Sequence, residues 1–390
     1  MQSVITADRL YTPLEQIERP LIFVEDGVIA EISSLQARQA PTGSRMVDLG
    51  DVILVPGFID IHIHGGAGHD VMEGDPKALP AVEQLLRSHG VTSYFPTTVT
   101  APVDLTLAAL ERLADAIEAA GRGESKSSDL RARPLGIHLE GPFISHVRRG
   151  VHPPASLLPP TLDMFERFWE ASRGHIKIMT IAPELEGARA VIAEATRRGV
   201  CVSMGHSDAD LQATQAGVAA GARHATHTFN AMRPLDHRQP GILGEVLMDQ
   251  RLSAEIIADG VHVDPLIVHL FLRAKGADAA VLVTDATAAT GMPNGRYRLG
   301  SLEVDVKDGK CLSDGKLAGS VLTMDKAVQN VMKFANLDLQ QAVRLATLNP
   351  ARTVGLPSNL GSLVPGAAAD MVALSPGGEV QTTIVRGQVA

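Results

Sequence analysis

The chain has 390 residues, 45% of them hydrophobic and only 3% aromatic, so it can bury a large and mostly aliphatic core. A formal net charge of −9 argues against a nucleic-acid or anionic-membrane partner, and an anionic substrate would need a local positive pocket. Two cysteines, Cys201 and Cys311, are too few for a disulfide framework. With no basic-then-apolar leader in MQSVITADRL and no run of about 18 apolar residues, they point to a cytoplasmic protein without a membrane span.

From Met1 to Leu54 the pattern is short and strand-like, as in PLIFVEDGVIAEIS and MVDLGDVILVPG. The last segment, SLVPGAAADMVAL and then VQTTIVRGQ, is similar, and the two ends are expected to meet in one small β domain. The middle alternates. Strand candidates fall at 58–64, 91–98, 134–140, 176–184, 200–206, 222–227, 252–260 and 280–285. Helical stretches at 76–89, 103–120, 161–173, 185–198, 208–220 and 264–275 separate most of them. This is the pattern of a (β/α)8 TIM-like barrel. An open doubly wound sheet is the weaker alternative, since no Gly-x-Gly-x-x-Gly follows an early strand. Asp308-Gly309 and Asp314-Gly315 mark a hairpin insertion over 296–318, and GRGESKSSD (121–129) reads as a polar loop. The expected division is 1–54 and 355–390 for the small β-sandwich domain and 55–354 for the barrel.

Polar residues collect at the C-terminal ends of these strands. His62 and His64 close the first, Glu140 the third, His206 the fifth, His227 the sixth and Asp285 the eighth. In a barrel those ends converge on the face that carries active sites. One histidine at a strand end is ordinarily a hydrogen-bonded loop residue, and one Asp or Glu there ordinarily caps the next helix. Asp208 and Asp210 fit that capping reading. Six such residues together point instead to a divalent metal such as zinc, which imidazole and carboxylate bind well. Iron(II), manganese and cobalt accept the same ligands. His138, one pleat before Glu140, is expected to support a ligand rather than be one. His224 has the opposite parity to His227 and reads as structural.

VPGFIDIHIHGG, HLEGP, GHS, HTFNAM, ADGVH, VTDA and LAGS occur in this order between Val55 and about Gly361. Together they resemble the N-acetylglucosamine-6-phosphate deacetylases of the amidohydrolase superfamily. The resemblance implies a metal-bearing barrel that hydrolyses the acetamide of N-acetyl-D-glucosamine 6-phosphate in amino-sugar catabolism. It implies Glu140, His206 and His227 as core metal ligands and Asp285 as the acid/base. His62 and His64 would hold a second ion bridged by Glu140, so that each chain carries one or two. Strand four ends Thr180-Ile181-Ala182-Pro183-Glu184, with Lys177 near its start, so a carboxylated lysine is a poorer bridge than Glu140.

By the same resemblance His152 steadies the amide oxygen, with Val151 beside it on a loop that touches the sugar. Asn230 and Ala231 would offer backbone N–H groups to the phosphate. Leu317, Ala318 and Gly319 would close over the sugar. His262 would meet the phosphate of its own subunit, and Arg238 that of its neighbour in a homodimer. The N-acetylgalactosamine epimer, another amidohydrolase such as a deaminase or cyclic amidase, and a non-catalytic scaffold barrel are the alternative functions.

Overall fold

The computed structural model describes residues 2–38, 45–122, 130–357 and 359–389, so most of the polar loop expected at 121–129 lies outside the described residues. Eight parallel strands form the central sheet: β1 (Phe58–Ile63), β2 (Val91–Thr98), β3 (Ile137–Glu140), β4 (Ile176–Ile181), β5 (Cys201–Met204), β6 (His224–Ala225), β7 (Ser253–Ile256) and β8 (Ala280–Leu282). Each hydrogen-bonds to the next in parallel. The sheet closes where Ile63 bridges Ala286 and the Asp285 N–H donates to the His62 carbonyl at 2.9 Å. This is the expected TIM-like barrel.

β1 and β2 are buried along their whole length, as strands must be when side chains fill the barrel and helices cover it. The isoleucines Ile59, Ile61 and Ile63 join the large aliphatic cluster of the barrel wall. Helices α1 (Ala78–Ser88), α2 (Val103–Gly121), α3 (Leu162–Ala171), α4 (Ala188–Arg197), α5 (Leu211–Ala220), α6 (Gly241–Met248), α7 (Pro265–Ala279) and α8 (Met324–Ala335) follow in chain order. Thr161, Asp210 and Asp264 cap α3, α5 and α7 by accepting first-turn N–H groups. Asp208 is not a cap: its carboxylate pairs with Arg148 at 2.7 Å. The pattern of apolar residues did not mark α6, since GILGEVLM is apolar almost all round and shows little helical periodicity.

Both chain ends build the small β-sandwich. One sheet orders Val28–Ser34, Pro20–Glu25, Gln2–Thr6 and Arg45–Asp48. In the other, Ile53–Pro56 pairs antiparallel with Met371–Leu374, joining the two ends of the chain. Ile5, Leu10, Ile22, Leu54, Met371 and Ile384 form a core of their own between them. The insertion after β8 is a four-stranded antiparallel sheet, Gly295–Leu299, Leu302–Lys307, Lys310–Ser313 and Lys316–Leu317. Its last two turns place Asp308, Gly309, Asp314 and Gly315 at positive φ, as Asp-Gly hairpins require. No described helix is long and apolar enough to cross a membrane.

Candidate active site

Most expected strands run longer in the sequence than in the structure, and at three of them the excess is where the site lies. β5, β6 and β8 leave the sheet before His206, His227 and Asp285, which take φ of 46°, 23° and 49°. A left-handed backbone costs a non-glycine residue roughly 1–3 kcal/mol and persists only when its surroundings enforce it. Here they do. The Ser207 hydroxyl and the Asp208 N–H both donate to Glu184, at 2.7 and 2.6 Å. The His227 N–H donates to Glu255 at 2.9 Å, and the Asp285 carbonyl accepts the Ser320 N–H at 2.7 Å. The result turns each side chain inward over the mouth of the barrel.

Glu140, 2% exposed, stands between the histidines. Its Oε1 lies 3.2 Å from His206 Nε2 and 3.1 Å from His227 Nε2; its Oε2 lies 3.3 Å from His64 Nε2. Asp285 Oδ1 is 3.1 Å from the same His64 nitrogen. His62 sits deepest, its Nε2 without a hydrogen bond and 3.5 Å from Glu140 and 3.6 Å from Asp285. Most ring orientations follow from the other nitrogen. Nδ1 of His62, His64 and His206 faces Glu255, the Thr97 carbonyl and the Arg148 carbonyl, at 2.9, 3.0 and 3.0 Å. Each therefore aims an Nε2 lone pair at the centre. His206 and His227 bring two such nitrogens to 3.1 Å, a separation that suits shared attraction to a cation. The donor set fits a divalent metal.

The charges agree. Burial alone would push Glu140 and Asp285 up, but the surrounding imidazoles hold both carboxylates below their usual range. Burial opposes protonation of His64, yet its contacts with Asp285 and Glu140 raise it to about 9. His152 is different. Burial, with His206 beside it, pushes it down to about 3. Its Nδ1 accepts the Thr100 N–H at 3.3 Å, so a neutral ring carries its proton on Nε2, 3.7 Å from Glu140 Oε2.

A cavity of about 240 Å³ opens above these groups. His64, Glu140, Val151, His152, His206, His227, Asn230, Ala231, His262, Asp285, Leu317, Ala318 and Gly319 line it. Asp259 accepts from His262 Nδ1 at 2.7 Å and fixes the ring. The Asn230 N–H and its side-chain Nδ2 both bond back to the His227 carbonyl, at 3.0 and 3.4 Å. Gly319 has φ 59°, and a Cβ there would come within 2.9 Å of the Asp285 carbonyl, so the insertion can pass this close only as glycine. Arg238 does not join the group; it is exposed on the loop after β6. A larger groove of about 500 Å³ beside Arg112 and Arg298 holds none of the expected site residues.

Sequence reasoning missed two buried carboxylates. Asp60, which shares the inward parity of His62 and His64, accepts the Thr284 hydroxyl at 2.5 Å, and burial raises it to about 7. Glu255 on β7 has no exposed surface. Both nitrogens of His138 are engaged away from the cavity, by the Ile61 carbonyl at 3.1 Å and Thr180 at 2.7 Å. His224 is structural, held by Ser253 at 2.8 Å and Glu255 at 3.1 Å.

The sequence pattern described as the amidohydrolase family matches residues 53–390. The chain belongs to the amidohydrolase family. Among relatives of known name, it is 37% identical to the N-acetylgalactosamine-6-phosphate deacetylase of Escherichia coli O157:H7, over all of both chains. It is 38% identical to the human N-acetylglucosamine-6-phosphate deacetylase, over 94% of this chain and 90% of that one. The fold superposes on a mutant of the Mycobacterium smegmatis N-acetyl-D-glucosamine-6-phosphate deacetylase, solved in complex with N-acetyl-D-glucosamine-6-phosphate, with a TM-score of 0.91 and 34% identity. That match covers 100% of this chain and 99% of that one. As an amidohydrolase, the chain is a hydrolase of carbon–nitrogen bonds.

Proposed function

We propose that this amidohydrolase deacetylates N-acetyl-D-glucosamine 6-phosphate, giving D-glucosamine 6-phosphate and acetate in amino-sugar catabolism. The observation that carries the reading is the pairing of Asp285 and the neutral His152 across Glu140 in one cavity, with Asp285 Oδ1 3.1 Å from His64 and His152 Nε2 3.7 Å from Glu140. Glu140, His206 and His227 would hold one divalent ion, and His62 and His64 a second that shares Glu140. Zinc suits the set best, while iron, manganese or cobalt would also be accepted. When bound, such an ion brings its water to a pKa near 7 and polarises a carbonyl.

The residues of the chain do the rest. Asp285 takes the proton of the attacking water and returns it to the departing nitrogen, so the amide and water become acetate and amine. His152 donates Nε2–H to the amide oxygen as negative charge grows there. Val151, Leu317, Ala318 and Gly319 wall the sugar. His262, Asn230 and Ala231 meet the phosphate.

Arg238 completes that phosphate site from the neighbouring subunit of a homodimer. Its loop is exposed and carries Leu235 with 52% of its surface open, which suits a surface meant to be covered. Arg238→Ala is then expected to weaken the phosphorylated substrate far more than an unphosphorylated one, compared by kcat/KM. The free thiols Cys201 and Cys311 fit a cytoplasmic setting.

A substrate panel tests the reading. Phosphorylated and unphosphorylated N-acetylglucosamine and N-acetylgalactosamine are offered, and free amine is measured. The gluco 6-phosphate is expected to give the highest kcat/KM. The galacto epimer belongs in the panel because one relative, 37% identical, bears its name. No amine from either phosphate would remove the proposal.

A further inference from the structure

Glu255 lies outside the cavity and touches neither the expected ligand carboxylate nor any cavity-facing group except through histidines. It is nonetheless a carboxylate with no exposed surface, on a strand whose neighbours Ala254 and Ile256 are apolar. A buried carboxylate is costly unless its oxygens are fully engaged, so its partners show what it is for. Oε2 accepts from His62 Nδ1 at 2.9 Å and from the His227 N–H at 2.9 Å. Oε1 faces His224 Nε2 at 3.1 Å, and His224 is anchored in turn by Ser253 at 2.8 Å. One oxygen thus reaches both parts of the histidine cluster: the ring of His62 and the backbone of His227.

Each contact has a distinct consequence. An imidazole has two tautomers, and only one leaves its Nε2 lone pair facing inward. A carboxylate on Nδ1 selects that tautomer, fixes the ring plane and makes the other nitrogen more basic. His62 needs such help more than its neighbours, because its Nε2 is buried with no hydrogen bond of its own. The contact to His227 is to the main chain, at the residue with φ 23° where β6 leaves the sheet. It helps hold the backbone from which that ring is aimed, but it makes no contact with the ring itself. The ring of His227 has its own contact with Glu140 at 3.1 Å.

We infer that Glu255 is the positioning residue that makes His62 a metal ligand, so that the His62–His64 side of the site depends on it for affinity far more steeply than the Glu140–His206–His227 side, which it reaches only through the main chain of His227. The inference rests on the metal-dependent reading above only in taking the histidines as ligands; it does not depend on the substrate.

The test is a cobalt(II) titration of the whole protein, stripped of metal, with no substrate present. Visible absorption and metal per chain are read together. Two variants separate charge from bond: Glu255→Gln keeps an acceptor for His62 and removes the charge, and Glu255→Met removes both. Wild type is expected to bind two equivalents. In Glu255→Gln the first should bind as in wild type and the second roughly 10-fold more weakly; in Glu255→Met the second should weaken by about 100-fold and the first by much less. If Glu255→Met does not fold, Glu255→Gln carries the result alone. Second-equivalent binding within twofold of wild type in the folded variants overturns the inference, as does a parallel loss of both equivalents. A wild-type protein that binds only one also overturns it. A chain that passes this test and releases no amine from any sugar would sink the deacetylase reading and leave this one standing.

Discussion

His62 and His64 stand on the regular strand β1 and at its end, whereas His206 and His227 stand on the residues where β5 and β6 turn out of the sheet at positive φ. The deep pair inherits its direction from the alternation of a strand locked in the barrel wall, and buried acceptors finish the aim. The outer pair is aimed by the backbone itself, in a conformation that surrounding hydrogen bonds enforce. The first construction is stiff and leaves a ring direction to be chosen by a neighbour. The second stores strain that its hydrogen bonds must hold. Glu140 meets both, and Asp285, also at positive φ, belongs by its backbone to the outer set and by its contact with His64 to the deep one.

The sharpest way to separate chemistry from this scaffold is Asp285→Asn. It should leave the outer ligands in place and lower kcat by about 10²–10⁴, because the amide cannot accept the proton. Turnover within about threefold of wild type would take Asp285 out of that role. Next, His62→Ala with His64→Ala should bring the metal content of fully loaded protein toward one per chain, with the outer set still occupied. If mass spectrometry shows no change, the deep pair is not a binding half and the comparison collapses.

Acidity offers a third probe. In metal-free folded protein His64 is raised to about 9, above its ordinary value of about 6.5. Its contribution to stability is therefore complete below about pH 6.5 and lost as pH rises through about 9. Metal needs the unprotonated ring, so the loaded protein should gain where the metal-free one loses. Thermal melts of both forms across that window should diverge; parallel curves would contradict the protonation of the deep half. The smallest effect is expected from Glu184→Ala, which releases Ser207 and Asp208 behind His206. The melting curve should show a loss of roughly 1–3 kcal/mol, with the first metal equivalent weakened more than the second. The reverse order would mean that Glu184 does not hold the outer turn.

Much of this was legible beforehand, for a reason that also explains what was not. Side-chain parity on an apolar strand is written in the sequence, so His62 and His64 announced a common face, and the order of strand-end residues announced their convergence. Parity also puts Asp60 on that face, and a lone Glu255 between Ala254 and Ile256 is a signal of the same kind. Neither ends its strand, so the pattern of polar strand ends contains neither. Where β5 and β6 stop was not legible, because it is set by tertiary hydrogen bonds to Glu184 and Glu255 rather than by local propensity. Arg238, on the long loop after β6, stands in the open.

The pairing of Ile53–Pro56 with Met371–Leu374 has a consequence in time. The earlier strand is synthesised roughly 300 residues before its partner. At about 5–20 residues per second, the interval on a ribosome is on the order of 15–60 s. Throughout it, the barrel's entire sequence emerges between two halves of a β-sandwich of which only one exists, and Leu54 faces a core that Met371 and Ile384 have yet to supply. The barrel is thus placed to fold first, and its closure brings the waiting edge to the arriving one. A truncation that removes Met371–Leu374 should accordingly leave an exposed strand edge prone to pairing with other chains.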